Sequence, residues 1–348
     1  MSEPPSSTQP SVSERKDHHL DIVLNEAVGS DGPARGLGGH TLEYDALPEL
    51  DLADVDLAVT LLDKDLCAPI VVGAMTGGTA RAGEINKRLA RAAAKVGVGM
   101  ALGSQRAMIV RPESTPSFVV KDVAPDLPIL FGNVGAVQLN YGVDAAAIAK
   151  ALEAVGADAI NLHLNPLQEA VQPEGDTNFA GLMEKIATLT AALPVPVVLK
   201  EVGGGLSRRT AEKIARLPVA GVEVAGTGGT SWAKVESFRA PGGSAQELIG
   251  QRLAGFGVPT AESIRICRAA MSDKVVIGSG GVRTGMDVAV ALALGADAVA
   301  LASPLLEAAS ESEDAVVRAL ETLIHELRVI CFCTGARTPA ELRGVRVL

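Results

Sequence analysis

"DAINLHLNPLQE", residues 158–169, opens as a buried β-strand and closes in polar chemistry. Side chains on a strand alternate faces, so Ile160, Leu162 and Leu164 share one side and Asn161, His163 and Asn165 the other. An unpartnered polar group in a dry interior costs on the order of 2–7 kcal/mol. That polar side must therefore satisfy itself or meet a ligand. The fold around it decides which.

Outward from this stretch the chain repeats one rhythm: a short aliphatic run, a glycine or polar turn, then an amphipathic or alanine-rich helix. The runs lie at 69–75, 98–103, 127–134, 158–165, 196–202, 221–226, 274–281 and 296–303. Strands alternating with helices imply parallel pairing through right-handed crossovers. Eight such units predict a (β/α)8 TIM barrel with an N-terminal extension. An open doubly wound sheet would more often carry an early G-x-G-x-x-G between strand and helix, and none is found. Residues 1–14, rich in Ser and Pro, read as a disordered tail, and 15–66 as an arm and pre-barrel segment. The barrel is assigned to 67–348, with an insertion at about 233–259 that serves as a lid or an interface.

Composition narrows the function. The 348 residues include only one Trp, two Tyr and six Phe, so the core must be aliphatic. A net charge of −10 argues against nucleic acid, which needs a basic footprint, but leaves room for a local cationic pocket. No apolar run reaches membrane-spanning length and the N-terminus lacks a hydrophobic signal core, which predicts a cytoplasmic protein. Cys67, Cys267, Cys331 and Cys333 form no disulfide framework for that compartment. "CFC" at 331–333 could be half of a metal site; with no second Cys/His cluster, two thiols on an apolar segment is the better reading.

In a barrel, chemistry gathers at the C-terminal strand ends. Those ends are polar here: Thr76, "GSQR" (103–106), Asn133, His163 and Asn165, Lys200-Glu201, "GTGGTSW" (226–232), "GSGGVR" (278–283) and Ala302-Ser303. "IGSGGVRTGMD" ends a strand in glycines and opens a helix, with Thr284 and Asp287 spaced as a capping box. "AGTGGTSW" adds glycine amides and the Thr230 hydroxyl. Two such loops at neighbouring strand ends favour a phosphate-bearing cofactor over two plain tight turns. Lys200 either pairs structurally, with Glu201 for instance, or steadies an anion such as the negative pole of a reduced flavin; the second is favoured because every neighbouring strand end also looks like a ligand site. Arg15, Lys16 and His19 in "SERKDHHL" read alone as a solvated charge cluster, and matter only if the arm folds over the barrel mouth. Ser104 and Arg106 offer further phosphate donors. Glu169 could hold Mg2+ together with substrate phosphate oxygens, and Gln168 could hydrogen-bond at the reacting end of a ligand.

Taken together these residues resemble the type 2, FMN-dependent isopentenyl-diphosphate isomerases. The likeness runs from "RKDHHL" through "GAMTGG", "ALGSQRAM", "FGNVGA", "HLNPLQE", "LKEVGGGLS", "GTGGTSW" and "GGVRTG" to "FCTGAR". "HLNPLQE" with "MTGG" and "GSQR" is the specific part; "GGVRTG" occurs in many flavin and phosphate barrels. The resemblance implies interconversion of isopentenyl and dimethylallyl diphosphate, with FMN, NADPH to reduce it, and Mg2+. It implies FMN contacts at Ala74, Met75, Thr76, Ser104, Asn133, Lys200 and Thr230, at Gly281, Val282 and Arg283, and at Ala302 and Ser303. Arg15, Lys16, His19, Arg106 and Gln168 would meet substrate, and Glu169 would ligate the metal. Gln168, His163, Asn165 and Lys200 would form the catalytic group. Ala225 stands where the family usually has Ser, so one hydroxyl contact to the flavin phosphate is missing. The family's habit also implies a homo-oligomer, tetramer or octamer.

The alternative is an FMN barrel oxidoreductase of a small phosphorylated or hydroxy-acid substrate. It would share the phosphate loops and Lys200, but should carry a His-Arg pair at late strand ends; no His occurs between His163 and His325. A non-catalytic ligand-binding barrel is opposed by the intact "HLNPLQE" and "GSQR".

Overall fold

The computed structural model describes residues 12–30 and 36–348. Eight parallel strands close into a barrel: β3 (Ile70–Val72), β4 (Gly99–Ala101), β5 (Leu130–Gly135), β6 (Ala159–Leu164), β7 (Val197–Glu201), β8 (Gly221–Glu223), β9 (Val275–Ser279) and β10 (Ala298–Leu301). β10 pairs with both β9 and β3 and completes the ring. Each of the eight aliphatic runs holds one of these strands, with β5 running one residue past the end of its run.

Period-two alternation divides the core into two layers. Ile70, Met100, Leu130, Ile160, Leu162, Leu199 and Val222 point outward, into one apolar cluster with the surrounding helices. Val71, Ala101, Phe131, Ala159, Val198, Ile277 and Ala300 point into the barrel. Leu61 and Leu66 join this inner group from an antiparallel hairpin, β1 (Val59–Leu61) and β2 (Lys64–Leu66), within the pre-barrel segment. Fully burying a leucine is worth roughly 1.5–3 kcal/mol, so the hairpin contributes to the barrel interior as well as covering it.

Farther along the strands the inward positions become polar. Asn133 lies beside Asn161, His163 beside Lys200, and Lys200 beside Glu223. The polar side of residues 158–165 is thus the barrel lining near its C-terminal mouth.

The arm folds over that mouth in the same chain. A helix, Val12–Asn25, takes in residues 12–14, which the sequence had assigned to the tail; the rest of that tail, 1–11, lies outside the described residues. Buried Leu20, Ile22 and Val28 seat the arm. Asp17 accepts from Thr79 Oγ1 at 2.8 Å, and Ser30 exchanges bonds with Gly228 and Gly229 at 2.8 and 2.9 Å. The inserted segment contains two helices, Trp232–Arg239 and Ala245–Arg252, packed together so closely that a Cβ on Gly250 would lie 2.5 Å from Ala233 O. They also pack against the helix Pro166–Val171 that follows β6.

Candidate active site

The mouth encloses a cavity of about 420 Å³, and every site residue named from the sequence lines it, from Arg15 on the arm to Ser303 after β10. That volume suits a cofactor or small-ligand site.

On the floor, Asn133 Nδ2 donates to Leu102 O at 3.0 Å, which turns Oδ1 toward His163 Nδ1 at 2.8 Å. An amide oxygen only accepts, so His163 carries its proton on Nδ1 and leaves Nε2 as a bare acceptor. Burial, with Lys16 and Lys200 nearby, pushes the His163 pKa down to about 3. The imidazole is neutral.

Lys200 pairs with Glu223 on the next strand rather than with Glu201. Glu201 faces the other way, and one of its oxygens accepts from the amides of Val202, Gly203, Gly204 and Gly205. Burial outweighs those bonds and raises its pKa to about 7. Glu223 was not singled out from the sequence. It sits in "GVEVAG" between outward-facing Val222 and Val224, and the alternation rule applied at 158–165 would have found it.

The phosphate cradle differs from its sequence reading in one respect. The capping box at the helix Gly285–Ala293 is present, but it occupies the amides of Arg283 and Thr284, while Gly285 N donates to Glu326. The open amides lie elsewhere. Gly281 and Val282, and Gly229 and Thr230 opposite, donate to no described residue. The helix Ser303–Glu311 begins at Ala302 with no side-chain cap, leaving an N-terminus available to an anion. Only glycine fits where the two loops meet: a Cβ on Gly281, at φ +81°, would lie 2.4 Å from Gly228 O, and one on Gly229 2.5 Å from Gly281 N. The Arg283 guanidinium bonds the carbonyls of Gly228 and Gly281 at 3.3 and 3.0 Å, tying the loops together. Thr76 Oγ1 is buried and unpartnered at the rim. The amide cradle fits the phosphate of FMN, and Thr76 leaves a further hydroxyl free on the wall of the same cavity. Ala225 lines the cavity at φ +36°, its amide donating to Ser279 Oγ at 3.0 Å.

At the same mouth, the arm and the loop after β6 gather charge. Arg15 reaches Glu174 at 3.4 Å with its Nε unpartnered, and Arg106 pairs with Asp176 at 2.7 Å. Lys16 makes no hydrogen bond or ion pair among the described residues; burial, then Arg15, lower its pKa to about 8. Asn165 Nδ2 reaches Gln168 Oε1 at 3.1 Å and Glu169 Oε1 at 2.8 Å, and Asp176 N donates to Glu169 Oε2 at 2.7 Å. Burial raises the Glu169 carboxyl above its ordinary range against those bonds. Gln168 Nε2 donates to Glu236 Oε1 at 2.9 Å. His19 Nε2 lies 3.1 Å from the same oxygen, without hydrogen-bond alignment, its ring edge-on to Trp232 at 5.3 Å. Burial alone would raise the Glu236 pKa, but His19, Arg239 and Gln168 hold it down to about 2. Glu236, also unforeseen, comes from the inserted segment, whose contact with the site is set by tertiary packing.

The thiols stay apart from this chemistry. Burial pushes Cys331 and Cys267 up to about 12, and no group of three or more metal-ligating side chains forms among the described residues.

The profile of the FMN-dependent dehydrogenase family matches residues 166–347. Mandelate oxidase with (S)-2-phenylpropionate superimposes at a TM-score of 0.67, covering 95% of this chain and 93% of that one at 22% identity. A mandelate oxidase mutant with a monooxide FMN adduct gives 0.65, with 94% and 95% covered at 20% identity. These likenesses establish the barrel. Sequence relatives go further. The isopentenyl-diphosphate delta-isomerase of Synechococcus sp. is 46% identical over 99% of this chain and 98% of its own. Its namesake from Nostoc sp. is 45% identical over 96% and 95%, and that from Stutzerimonas stutzeri 45% over 97% and 97%. With the flavin cradle, the cationic arm and near-complete coverage in agreement, the chain belongs to the FMN-dependent family of isopentenyl-diphosphate delta-isomerases.

Proposed function

We propose that the protein interconverts isopentenyl diphosphate and dimethylallyl diphosphate on FMN reduced by NADPH, with Mg2+ as a further cofactor that would act with the diphosphate. The observation that carries this reading is that one cavity joins open glycine amides and an uncapped helix to Arg15, Lys16 and Arg106, with Gln168 in the same lining. Reduced FMN supplies an electron-rich ring able to exchange protons with the substrate's allylic carbons. Arg15, Lys16 and Arg106 bind the diphosphate, for which Glu174 and Asp176 hold two of them in place. Gln168 is fixed at both ends, accepting from Asn165 and donating to ionised Glu236, so its amide points one way into the site. His163 offers an acceptor at Nε2 and no proton there, which suits orientation of substrate rather than acid catalysis. Trp232 and the arm helix keep water from the reacting carbons. Glu169 would be the protein's carboxylate on Mg2+, and substrate oxygens and water would complete its shell.

Two coarser proposals accompany this one. Phe238, Leu248, Ile249 and Phe256 are exposed on the inserted segment, an apolar face that supports a homo-oligomer, tetramer or octamer. The four cysteines are unpaired, in keeping with the reducing cytoplasm, and no helix among the described residues is long and apolar enough to cross a membrane. An oxidoreductase is disfavoured because the ends of β8 to β10 supply Glu223, Ser279 and Ser303, while His325 is exposed on the outer helix Glu313–Cys333.

The test is anaerobic turnover with FMN, Mg2+ and NADPH. The expected outcome is interconversion of the two diphosphates over many turnovers per NADPH oxidised. Stoichiometric nicotinamide oxidation with a redox-changed product would overturn the isomerase reading. Gln168→Ala should lower turnover by about 10²–10⁴-fold with FMN still bound.

A further inference from the structure

Four side chains on four different strands converge beneath the cavity. Glu223 is 2% exposed and receives the Lys200 ammonium and the Ser279 hydroxyl, at 2.9 Å, on one oxygen. Asn161 Nδ2 reaches its other oxygen at 3.3 Å. Ser279 has no freedom in the matter: its oxygen accepts the Ala225 amide at 3.0 Å, so its proton goes to Glu223. Asn161 turns its amide nitrogen to the carboxylate and leaves Oδ1 buried without a partner. Three donors and no acceptor meet this carboxylate, the arrangement an ionised group takes. Lys200 and Glu223 both line the cavity, whereas Glu201, the neighbouring acid, is spent on its own loop amides. Lys200 therefore does not reach the cofactor space as an uncompensated cation. It arrives as one half of a buried pair whose other half is pinned from β6 and β9.

We propose that Glu223 is a positioning residue that fixes Lys200 and offsets its charge beneath the bound flavin, thereby setting the reduction potential of the cofactor. An ammonium alone would favour the anionic reduced ring; the carboxylate behind it weakens that preference and leaves the reduced ring more basic, as proton exchange requires. The inference rests on the flavin reading above, and wild-type FMN binding is the control that separates the two: a chain that takes up no flavin sinks that reading, while a flavin-bound chain indifferent to Glu223 sinks only this one.

The experiment is spectroelectrochemical titration of bound FMN in wild type, Glu223→Gln and Ser279→Ala, with dissociation constants for oxidised and reduced FMN measured alongside. Glu223→Gln keeps the shape and removes the charge. It should bind reduced FMN about ten-fold more tightly relative to oxidised, an upward shift of about 30 mV for a two-electron couple. Ser279→Ala keeps both charges and strips one donor from the carboxylate, so its potential should fall below wild type. A purely structural ion pair predicts weaker binding of both redox forms with no change in their ratio. An unchanged or lowered potential in Glu223→Gln overturns the proposal. Where that variant fails to fold, an unchanged or raised potential in Ser279→Ala overturns it instead.

Discussion

His163 and Lys16 are the two ionisable groups whose state at neutral pH the site determines most sharply. With Asn133 Oδ1 at Nδ1 and burial depressing its pKa to about 3, His163 should stay neutral across the physiological range. Nitrogen NMR of labelled protein should show one Nδ1-protonated tautomer from pH 5 to pH 8; a titration near 6.5 would refute the assignment. Lys16 behaves differently: no described side chain pairs with it directly, and burial and Arg15 outweigh the pull of the Glu236 carboxylate. Its ammonium binds diphosphate only while protonated, so kcat/KM should fall as pH rises through about 8. kcat should fall later, since the bound anion retains the proton. Lys16→Arg should abolish that alkaline limb, because guanidinium does not titrate there. Stability has its own sign. The folded pKa lies below the unfolded value of 10.5, so between about 8 and 10.5 the unfolded chain binds more protons and stability rises with pH. Holding Lys16 charged thus costs stability, fully below pH 8, and Lys16→Met should raise the melting temperature while weakening substrate binding.

Loops and strands differ in how far they could be read ahead. The eight barrel strands were legible because each is a run of β-branched and aliphatic residues closed by glycine or a polar turn, and backbone periodicity is a local signal. The hairpin of β1 and β2 was not. Its turn, Leu62-Asp63, places both residues at positive φ, 49° and 62°, with no glycine or asparagine to announce it. Burial of Leu61 and Leu66 in the barrel overrides that local preference. In the site, every residue assigned a role from a motif reached the cavity, whereas Glu223 and Glu236 owe their roles to partners 23 and 68 residues away in sequence, Lys200 and Gln168. Such pairings exist only once the barrel closes. The interlocked glycine loops permit a test at this scale. Gly281→Ala forces a Cβ into Gly228 O and an unfavourable φ, so it should weaken FMN affinity more than ten-fold. Gly242→Ala, where an added Cβ meets nothing within 4 Å, should leave it unchanged. Equal flavin retention in both variants would disprove the cradle.

Across the whole molecule, charge is distributed against its average. The chain carries a net charge of −10, yet Arg15, Lys16 and Arg106 meet at one mouth. Glu174 and Asp176 balance two of these cations, and Lys16 has no ion pair among the described residues, feeling Glu236 only at longer range. A divalent cation approaching Glu169 before diphosphate binds would face that positive cluster, with the Glu169 oxygens already engaged by Asn165 and Asp176 N and the nearby Asp176 carboxylate paired to Arg106. Mg2+ dehydrates reluctantly and prefers several hard oxygens, so the protein alone is a poor host. Diphosphate reverses the balance by adding negative charge and oxygens together. Calorimetric titration of the FMN-loaded protein with Mg2+ alone should therefore give no site-specific binding, whereas the same titration with inorganic pyrophosphate present should give one Mg2+ per chain. Glu169→Gln should weaken that second isotherm by at least ten-fold, about 1.4 kcal/mol, and leave FMN in place. Tight Mg2+ binding without pyrophosphate would mean that the protein supplies a complete metal site, and the division of labour between Glu169 and the substrate would have to be abandoned.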